Sequence, residues 1–309
     1  MLNTLNALLP VILVIALGYT VARTGLITGD QWRGIERIAY YVFFPAVLFE
    51  KIAALDFSTL PTLPMAGALL AAIFSMSALL LVARPAFAGI WNISGPRYTS
   101  IFQGSVRWNA FIALAIADSL IGPEGVALIA VAMVIMIPIL NILCVLVLSR
   151  YANAEAPTVK KTRNDLATNP FILSISAGLI ANVIGLPIPQ VVNSTLIIAG
   201  AAALPVGIMC VGAGLDLAAL RKPGPALTSG TLIRLLVMPA LGAGYAALFG
   251  VTGAALTVVI IALSVPSAAN SYLMARAMGG DSKLMAEILT LQTLVATITI
   301  PVAVYLLGG

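Results

Sequence analysis

The stretch 101-IFQGSVRWNAFIALAIADSL-120 decides the fold, because Arg107, Trp108 and Asn109 interrupt an otherwise apolar run in its middle. Arg107 follows Arg97 by about ten residues, which places it roughly 15 Å into a hydrocarbon core about 30 Å thick. A guanidinium at that depth costs about 2.5–3.5 kcal/mol on insertion scales. We therefore expect this stretch to line a cavity or to meet a protein partner instead of facing lipid.

The composition of the whole chain places this stretch in a polytopic membrane protein. Of 309 residues, 61% are hydrophobic and 9% are charged, whereas a soluble domain carries roughly 25% charged residues. The net charge of +5 comes from basic residues in short loops, so it indicates membrane orientation and not nucleic-acid binding. Histidine, the usual metal ligand and proton shuttle, does not occur in the sequence.

The apolar runs predict an all-α protein with ten transmembrane helices. A spanning helix needs about 20 largely apolar residues. The amino-terminal run has no basic flank or small-residue cleavage site, so we interpret it as the first span and not as a signal peptide. The predicted spans are 4–22, 35–55, 63–83, 98–119, 125–149, 170–186, 190–215, 226–249, 253–278 and 284–307.

The basic residues predict how these spans are oriented. Lys51 lies on one side, Arg107 and Arg234 lie within spans, and the other thirteen basic residues share the opposite side. The positive-inside rule makes that opposite side cytoplasmic. We expect a bacterial-type inner membrane, a cytoplasmic loop at 150–169 and both termini outside. The thirteen residues are Arg23, Arg33, Arg37, Arg84, Arg97, Arg150, Lys160, Lys161, Arg163, Arg221, Lys222, Arg276 and Lys283.

An internal repeat divides the chain. Residues 10–56 and 170–216 align without a gap at an offset of 160 residues, and 13 of 47 positions are identical, including co-aligned proline, glycine and aspartate. Each copy holds five spans, and an odd number forces the second copy to enter from the opposite face. We predict two inverted five-helix repeats, 1–149 and 170–309, joined by the linker 150–169.

The fourth helix of each repeat is predicted to be broken and to cross its counterpart. The second copy, 264-SVPSAANSY-272, carries Pro266, which removes a helical hydrogen bond and clashes with the preceding turn. The first copy, 104-GSVRWNAF-111, has no proline, so Gly104, Ser105 and Asn109 must permit its break. Inverted repeats with discontinuous helices near the midplane are typical of secondary transporters.

Four motifs identify a family resemblance that covers essentially the whole chain. They are 169-NPFILSISAGLIANVIGLPIP-189, 204-LPVGIMCVGAGLDL-217, 233-IRLLVMPAL-241 and 265-VPSAANSYLMARAMGGD-281. The sequence resembles the auxin efflux carrier (PIN-like) family, whose bacterial members include malonate transporters. The resemblance implies a ten-helix fold with crossing broken helices 4 and 9, shared with bile-acid sodium symporters. It also implies transport of organic anions and is compatible with a homodimer.

Arg107 has two interpretations from the residues alone. Its guanidinium geometry suits a bidentate clamp on a substrate carboxylate, or it bonds the carbonyls of a broken helix. No acidic residue lies at matching depth in any predicted span, which favours an incoming anion. Arg234 is shallower, and snorkelling or carbonyl bonding explains it.

The remaining candidate residues are polar side chains and prolines near the predicted breaks. Polar groups at a break can bind substrate or satisfy freed backbone groups, and Gln103 and Gln292 also suit interhelical hydrogen bonds. Trp108 either walls the site or packs, while Pro45 and Pro205 either act as hinges or kink their helices for packing. The predicted substrate-binding residues are Arg107, Asn109, Asn270, Ser267, Trp108, Gln103, Ser271 and Gln292, and the predicted crossover or hinge residues are Gly104, Pro266, Pro45 and Pro205.

These features favour a carrier that moves a small carboxylate or dicarboxylate, auxin- or malonate-like, by alternating access. We expect lipid and the organic anion as partners, no cofactor and no enzymatic activity. The chain has no nucleotide-binding P-loop. A sodium-coupled symporter of the bile-acid type is the alternative. An intramembrane protease is remote, because 212-GAGLD-216 misses the aspartyl protease spacing by one residue and Asp56 falls on the other face.

Overall fold

The computed structural model describes residues 2–54, 62–152, 167–168, 170–217, 220, 224–268 and 270–308, and these residues are helical with connecting turns. The first half contains α1 Leu2–Thr24, α2 Gly29–Ile38, α3 Phe44–Ala53, α4 Thr62–Trp91, α5 Gly95–Val106, α6 Ala110–Ile121 and α7 Pro123–Tyr151. The second half contains α8 Pro170–Val183, α9 Gln190–Ala201, α10 Ala203–Ala213, α11 Pro225–Leu232, α12 Met238–Leu248, α13 Gly253–Ser264, α14 Asn270–Ala277 and α15 Ser282–Leu307.

Five helical segments within the described residues are long and apolar enough to cross a membrane. They are Thr62–Trp91, Pro123–Tyr151, Gln190–Ala213, Pro225–Leu248 and Ser282–Leu307. Leu9–Thr24, Pro170–Val183 and Gly253–Ser264 are shorter apolar helices. The all-α membrane class predicted from composition is therefore confirmed, whereas the count of ten spans stays a prediction.

Two helices are continued through a single π-helical turn. Ala39–Phe43 joins α2 to α3, and Ile233–Val237 joins α11 to α12. A proline follows each π turn, Pro45 in the first turn of α3 and Pro239 in the first turn of α12. Because proline lacks the backbone N–H that a regular helix would use, a wider turn before it accommodates the missing hydrogen bond.

Helix boundaries recur at the offset of the sequence repeat. α6 begins at Ala110 and α14 at Asn270, 160 residues later. α3 ends at Ala53 and α10 ends at Ala213, again 160 residues apart. The two copies of the sequence therefore adopt the same local structure at these points.

Contacts between the two halves are also exchanged at this offset. A Cβ atom added to Gly18 would meet the carbonyl oxygen of Met209, and one added to Gly178 would lie 3.0 Å from the carbonyl oxygen of Phe49. Gly178 and Met209 stand 160 residues after Gly18 and Phe49. Accordingly, α1 packs closely on α10, and α8 packs closely on α3. A two-fold relation between the halves would produce such exchanged pairs.

Candidate functional site

The first helix break lies between α5 and α6. α5 ends at Val106, and Arg107 has an extended backbone with φ −73° and ψ 156°. Asn109 then caps α6, and its side-chain Oδ1 accepts hydrogen bonds from the backbone N–H groups of Phe111 and Ile112 at 3.1 and 3.2 Å. An N-cap of this kind satisfies donors that have no partner at the start of a helix. The break therefore forms without a proline of its own.

The second break lies between α13 and α14 and contains Pro266. Val265, directly before the proline, is extended with φ −65° and ψ 150°. This conformation is expected, since the proline ring disfavours helical geometry in the residue that precedes it. The two breaks meet directly, because the backbone N–H of Asn109 donates to the carbonyl oxygen of Pro266 at 2.8 Å. The carbonyl group of Pro266 in the second break thus helps to stabilise the first break.

Arg107 reaches from the first break to the second half of the chain. Its side chain is 6% exposed, one Nη donates to Oδ1 of Asn270 at 3.0 Å, and the other contacts Sδ of Met274 at 3.3 Å. A guanidinium carries five N–H donors, so these contacts leave donors available. No carboxylate of the described residues lies within ion-pair distance of this charge.

A cavity of about 160 Å³ brings together four of the predicted site residues. Arg107, Trp108 and Asn109 line it from the first break, and Asn270 lines it from the second. The amino termini of α6 and α14 lie at this cavity, and a helix amino terminus favours negative charge. The cavity therefore presents a guanidinium, amide groups and the positive ends of two helix dipoles to a bound molecule.

Aromatic side chains form one wall of this cavity. The ring of Phe111 stacks on Phe44 with centroids 4.3 Å apart, and Phe171 lies edge-on to Tyr40 at 4.8 Å. Tyr40, Phe111 and Phe171 line the cavity themselves. The wall joins α6, which follows the first break, to α3 and α8.

Sequence reasoning missed several residues of the cavity, of which Glu36 and Asn141 matter most. Glu36 lines the same cavity as Arg107, but it is exposed and lies beyond ion-pair distance of the guanidinium. The expectation that no acidic residue lies at matching depth in any span stays a prediction. Glu36 lies near the start of the predicted second span, outside its most apolar part. Asn141 is an amide inside an apolar run, and this polarity was the signal that could have found it. The other missed lining residues are the aromatic residues Tyr40, Phe111 and Phe171 together with Ala110, Met133, Ile137, Leu140, Cys210, Val211 and Ala268.

The other four predicted site residues form a buried polar network and do not line this cavity. The Ser267 backbone N–H donates to Oε1 of Gln292 at 2.8 Å, and its hydroxyl bonds Ser271 at 3.2 Å and the carbonyl oxygen of Gln103 at 3.3 Å. Nε2 of Gln292 donates to the carbonyl oxygens of Gly104 and Gly230 at 2.9 and 3.0 Å. Gln292 therefore ties α15 to both broken regions, whereas the side-chain amide of Gln103 is buried without a partner among the described residues.

The predicted crossover and hinge residues occupy different positions. Pro266 lies in the second break, but Gly104 is helical and lies two residues before the end of α5. A Cβ atom there would approach Cγ2 of Ile288 to 2.7 Å, so Gly104 permits close packing of α5 on α15. Pro45 follows the π turn before α3, and Pro205 lies in the first turn of α10, just after the end of α9.

Arg234 is fully buried beside both breaks. Its Nε donates to the carbonyl oxygen of Val265 at 2.7 Å, and one Nη donates to that of Ala262 at 2.8 Å. The other Nη approaches the carbonyl oxygen of Val106 at 3.5 Å. The side chain therefore bonds carbonyls, as one of the two sequence interpretations had it, and does not snorkel to the membrane surface.

The described residues hold no cluster of three or more histidine, cysteine, aspartate or glutamate side chains that could bind a metal ion. The protease interpretation depended on a pair of aspartates. Asp216 lies just after α10, where its backbone N–H donates to Oγ1 of Thr290 at 3.2 Å. Asp56 lies outside the described residues.

The fold and the broken helices together define an integral membrane protein of the transporter class. The family model described as membrane transport protein matches residues 4–304, and the chain belongs to this family. It is the auxin efflux carrier (PIN-like) family that the four sequence motifs indicated, so that prediction is confirmed. No curated protein matches this chain.

Proposed function

We propose that this transporter carries a small organic anion, which binds in the cavity between the two helix breaks. The observation that carries the proposal is Arg107, a nearly buried cation that donates to the Asn270 amide oxygen and contacts the Met274 sulfur. Asn270 places a neutral oxygen where a carboxylate oxygen would bind more strongly, since charge-assisted hydrogen bonds are about twice as strong as neutral ones. The helix amino termini at the cavity favour the same sign of charge.

The size of the cavity narrows the substrate class. An apolar cavity of about 150 Å³ holds one benzene molecule, which has six heavy atoms. The cavity here is about 160 Å³, so it suits a three-carbon dicarboxylate better than an auxin-like aromatic acid. We therefore propose a short dicarboxylate of the malonate type as the preferred substrate.

A second, smaller cavity supports alternating access between two inverted repeats. It measures about 20 Å³ and is lined by apolar residues and two threonines. Five of its lining residues stand 160 residues from lining residues of the larger cavity, which they match as two-fold counterparts. The matched pairs are Met133 and Thr293, Ile137 and Thr297, Leu140 and Ile300, Asn141 and Pro301, and Phe171 and Val11.

We interpret the larger cavity as an open vestibule and the smaller cavity as its two-fold counterpart in a closed form. The larger cavity is lined by Glu36, Phe171 and Cys210, which lie near helix ends that the positive-inside rule assigns to the cytoplasm. The conformation described here is then inward-facing. Closure of the larger cavity and opening of the smaller one, with the broken spans 98–119 and 253–278 between them, would expose the substrate to the outside.

The test is uptake of labelled malonate by purified protein in liposomes. Arg107→Ala should lower affinity or transport by about 100-fold, because a hydrogen bond to a charged group contributes about 1.5–3 kcal/mol. Arg107→Lys keeps the charge without the planar fork and should fall between wild type and alanine. Arg23→Ala is the matched control, since it removes the same charge from an exposed position on α1.

Two results would contradict the proposal. Unchanged transport by the Arg107→Ala variant would show that the guanidinium does not bind the substrate. Failure of the wild-type protein to move any mono- or dicarboxylate of a panel, under imposed proton, sodium and voltage gradients, would exclude organic anions as the class. The expectation of a homodimer, which comes from the family resemblance, stays a prediction.

A further inference from the structure

Arg234 is a buried charge whose partners are main-chain carbonyls. Its guanidinium donates to Val265 and Ala262 and approaches Val106. No carboxylate of the described residues lies within ion-pair distance of it. Burying an ion is costly unless the surroundings compensate it. Among the described residues the compensation comes from carbonyl oxygens alone, a type of ligand that also binds small inorganic cations in proteins.

The carbonyls that Arg234 binds are the unsatisfied ends of two half-helices. Val106 is the last residue of α5, Ala262 lies in the last turn of α13, and Val265 is its C-cap. The last carbonyls of a helix lack intrahelical partners and carry a partial negative charge. In transporters with discontinuous helices, half-helix carboxyl ends and unwound carbonyls are where coupling ions such as Na⁺ bind.

One arginine serves both halves of the molecule. The counterpart of Arg234 at the repeat offset is Phe74, an exposed residue of α4. The guanidinium nevertheless contacts carbonyls of α5 in the first half and α13 in the second. Arg107 and Arg234 thus divide the crossover between them. Arg107 lies with the helix amino termini at the cavity, and Arg234 lies with the carboxyl ends behind it.

We propose that Arg234 is a tethered cation that permanently occupies the place where a coupling ion would bind. This proposal rests on the proposed carrier function in one consequence only, namely that uptake of the substrate needs no sodium. Its structural consequence is independent of transport. Removal of the side chain should leave a carbonyl-lined site that accepts a free monovalent cation, with guanidinium the best fit and Na⁺ a weaker one.

The first experiment compares wild-type uptake of malonate in sodium chloride and in choline chloride at equal ionic strength. The expected result is equal uptake rates. A fall of about fivefold or more in choline would overturn the proposal, because a second cation site would then be required. No variant is involved, so misfolding cannot obscure the outcome.

The second experiment measures the melting temperature of purified Arg234→Ala in millimolar guanidinium, Na⁺ or choline. We expect the melting temperature of the variant to lie below that of the wild type and to rise saturably with guanidinium. Transport by the variant should fall by about tenfold or more in the absence of guanidinium and recover in its presence. Arg84→Ala is the control, because Arg84 stacks on Tyr98 and Tyr151 at 5.0 and 5.6 Å and its loss leaves no such carbonyl site.

The outcomes separate this proposal from the proposed function. Stabilisation of Arg234→Ala by guanidinium that exceeds the effect on Arg84→Ala supports a tethered cation, even if malonate is not the substrate. An equal response of the two variants overturns it. If Arg234→Ala cannot be purified, Arg234→Lys takes its place, because lysine keeps the positive charge but has fewer N–H donors than arginine. Malonate uptake by Arg234→Lys is then expected to be independent of sodium. Uptake by Arg234→Lys that requires sodium would contradict the proposal.

Discussion

Substitutions of Asn109 should separate the stability of the first break from the charge of the cavity. The Asn109 side chain caps α6 through Oδ1 and also lines the cavity. Asn109→Asp keeps an oxygen where Oδ1 accepts both backbone hydrogen bonds, but it adds a negative charge. Asn109→Ala removes the cap and adds no charge. We expect the aspartate variant to be stable and to bind an anion poorly, and the alanine variant to be less stable and to bind it better than the aspartate variant does.

The two effects have different magnitudes. Loss of an N-cap costs about 0.5–2 kcal/mol of stability. A sphere with the cavity volume of 160 Å³ is about 7 Å across, so the new carboxylate would lie within about 7 Å of a bound anion. At an effective dielectric constant of about 20, two like charges at that separation repel by about 2.4 kcal/mol, or about 50-fold in affinity.

The assay pairs the melting temperature of purified protein with the affinity for malonate. Asn109→Ser is the matched control, because serine caps a helix about as well as asparagine and carries no charge. It should stay near wild type in stability and lose less affinity than the aspartate variant. Wild-type affinity in Asn109→Asp would refute the placement of an anion in this cavity. An unchanged melting temperature in Asn109→Ala would refute the role of the cap.

Three further predictions follow from the packing and from the two cavities. Gly18→Ala should lower the melting temperature, because overlap with the Met209 carbonyl costs about 1–3 kcal/mol. Gly89→Ala, which adds a methyl group in open space on α4, should keep or raise the melting temperature. A fall of equal size in both variants would contradict the close contact of α1 and α10. Glu36→Gln should tighten malonate binding by about three- to tenfold, since it removes a like charge from the exposed rim of the cavity, and isothermal titration that shows weaker binding would count against this. In a cysteine-free background, Ile137→Cys, at a partly exposed residue of the larger cavity, should react quickly with a membrane-impermeant thiol reagent from the cytoplasmic side. Thr293→Cys, at a buried residue of the smaller cavity, should react from the opposite side only during transport. Labelling of both from one side would exclude alternating access between the two cavities.

Part of the site could be found from the sequence because polar residues in apolar runs are conspicuous. Arg107, Trp108, Asn109 and Asn270 were predicted from their position in otherwise apolar segments, and all four line the cavity. Gln103 and Gln292 carry the same signal but lie in the buried network instead. Polarity inside a span indicates that a side chain needs a partner, and it does not distinguish a substrate from another helix.

Glu36 and Tyr40 were missed for a different reason. Both precede the most apolar part of their span, so composition places them near the membrane surface. They reach the cavity because α2 continues through the π turn Ala39–Phe43 into α3 and packs beside α10. This arrangement depends on contacts between segments far apart in the chain, which no local pattern records.

The sequence by itself determined the membrane class, the 160-residue repeat and the position of the second break. Each follows from a local property, namely apolar composition, an aligned copy of the same residues, or a proline that cannot continue a helix. The stretch at residues 101–120 also signalled by its charge that it meets protein and not lipid.

Only the tertiary structure decided how the first break is held and what the two arginines do. Residues 104–111 contain no proline, and the break is held by the hydrogen bond that the backbone N–H of Asn109 donates to the Pro266 carbonyl oxygen in the other half of the chain. Arg107 and Arg234 were both predicted within spans, Arg234 at the shallower depth, and carbonyl bonding was an interpretation of each. They differ because one lies at helix amino termini around a cavity and the other at helix carboxyl ends that would otherwise lack partners. Which helix ends a side chain reaches is set by the packing of distant segments.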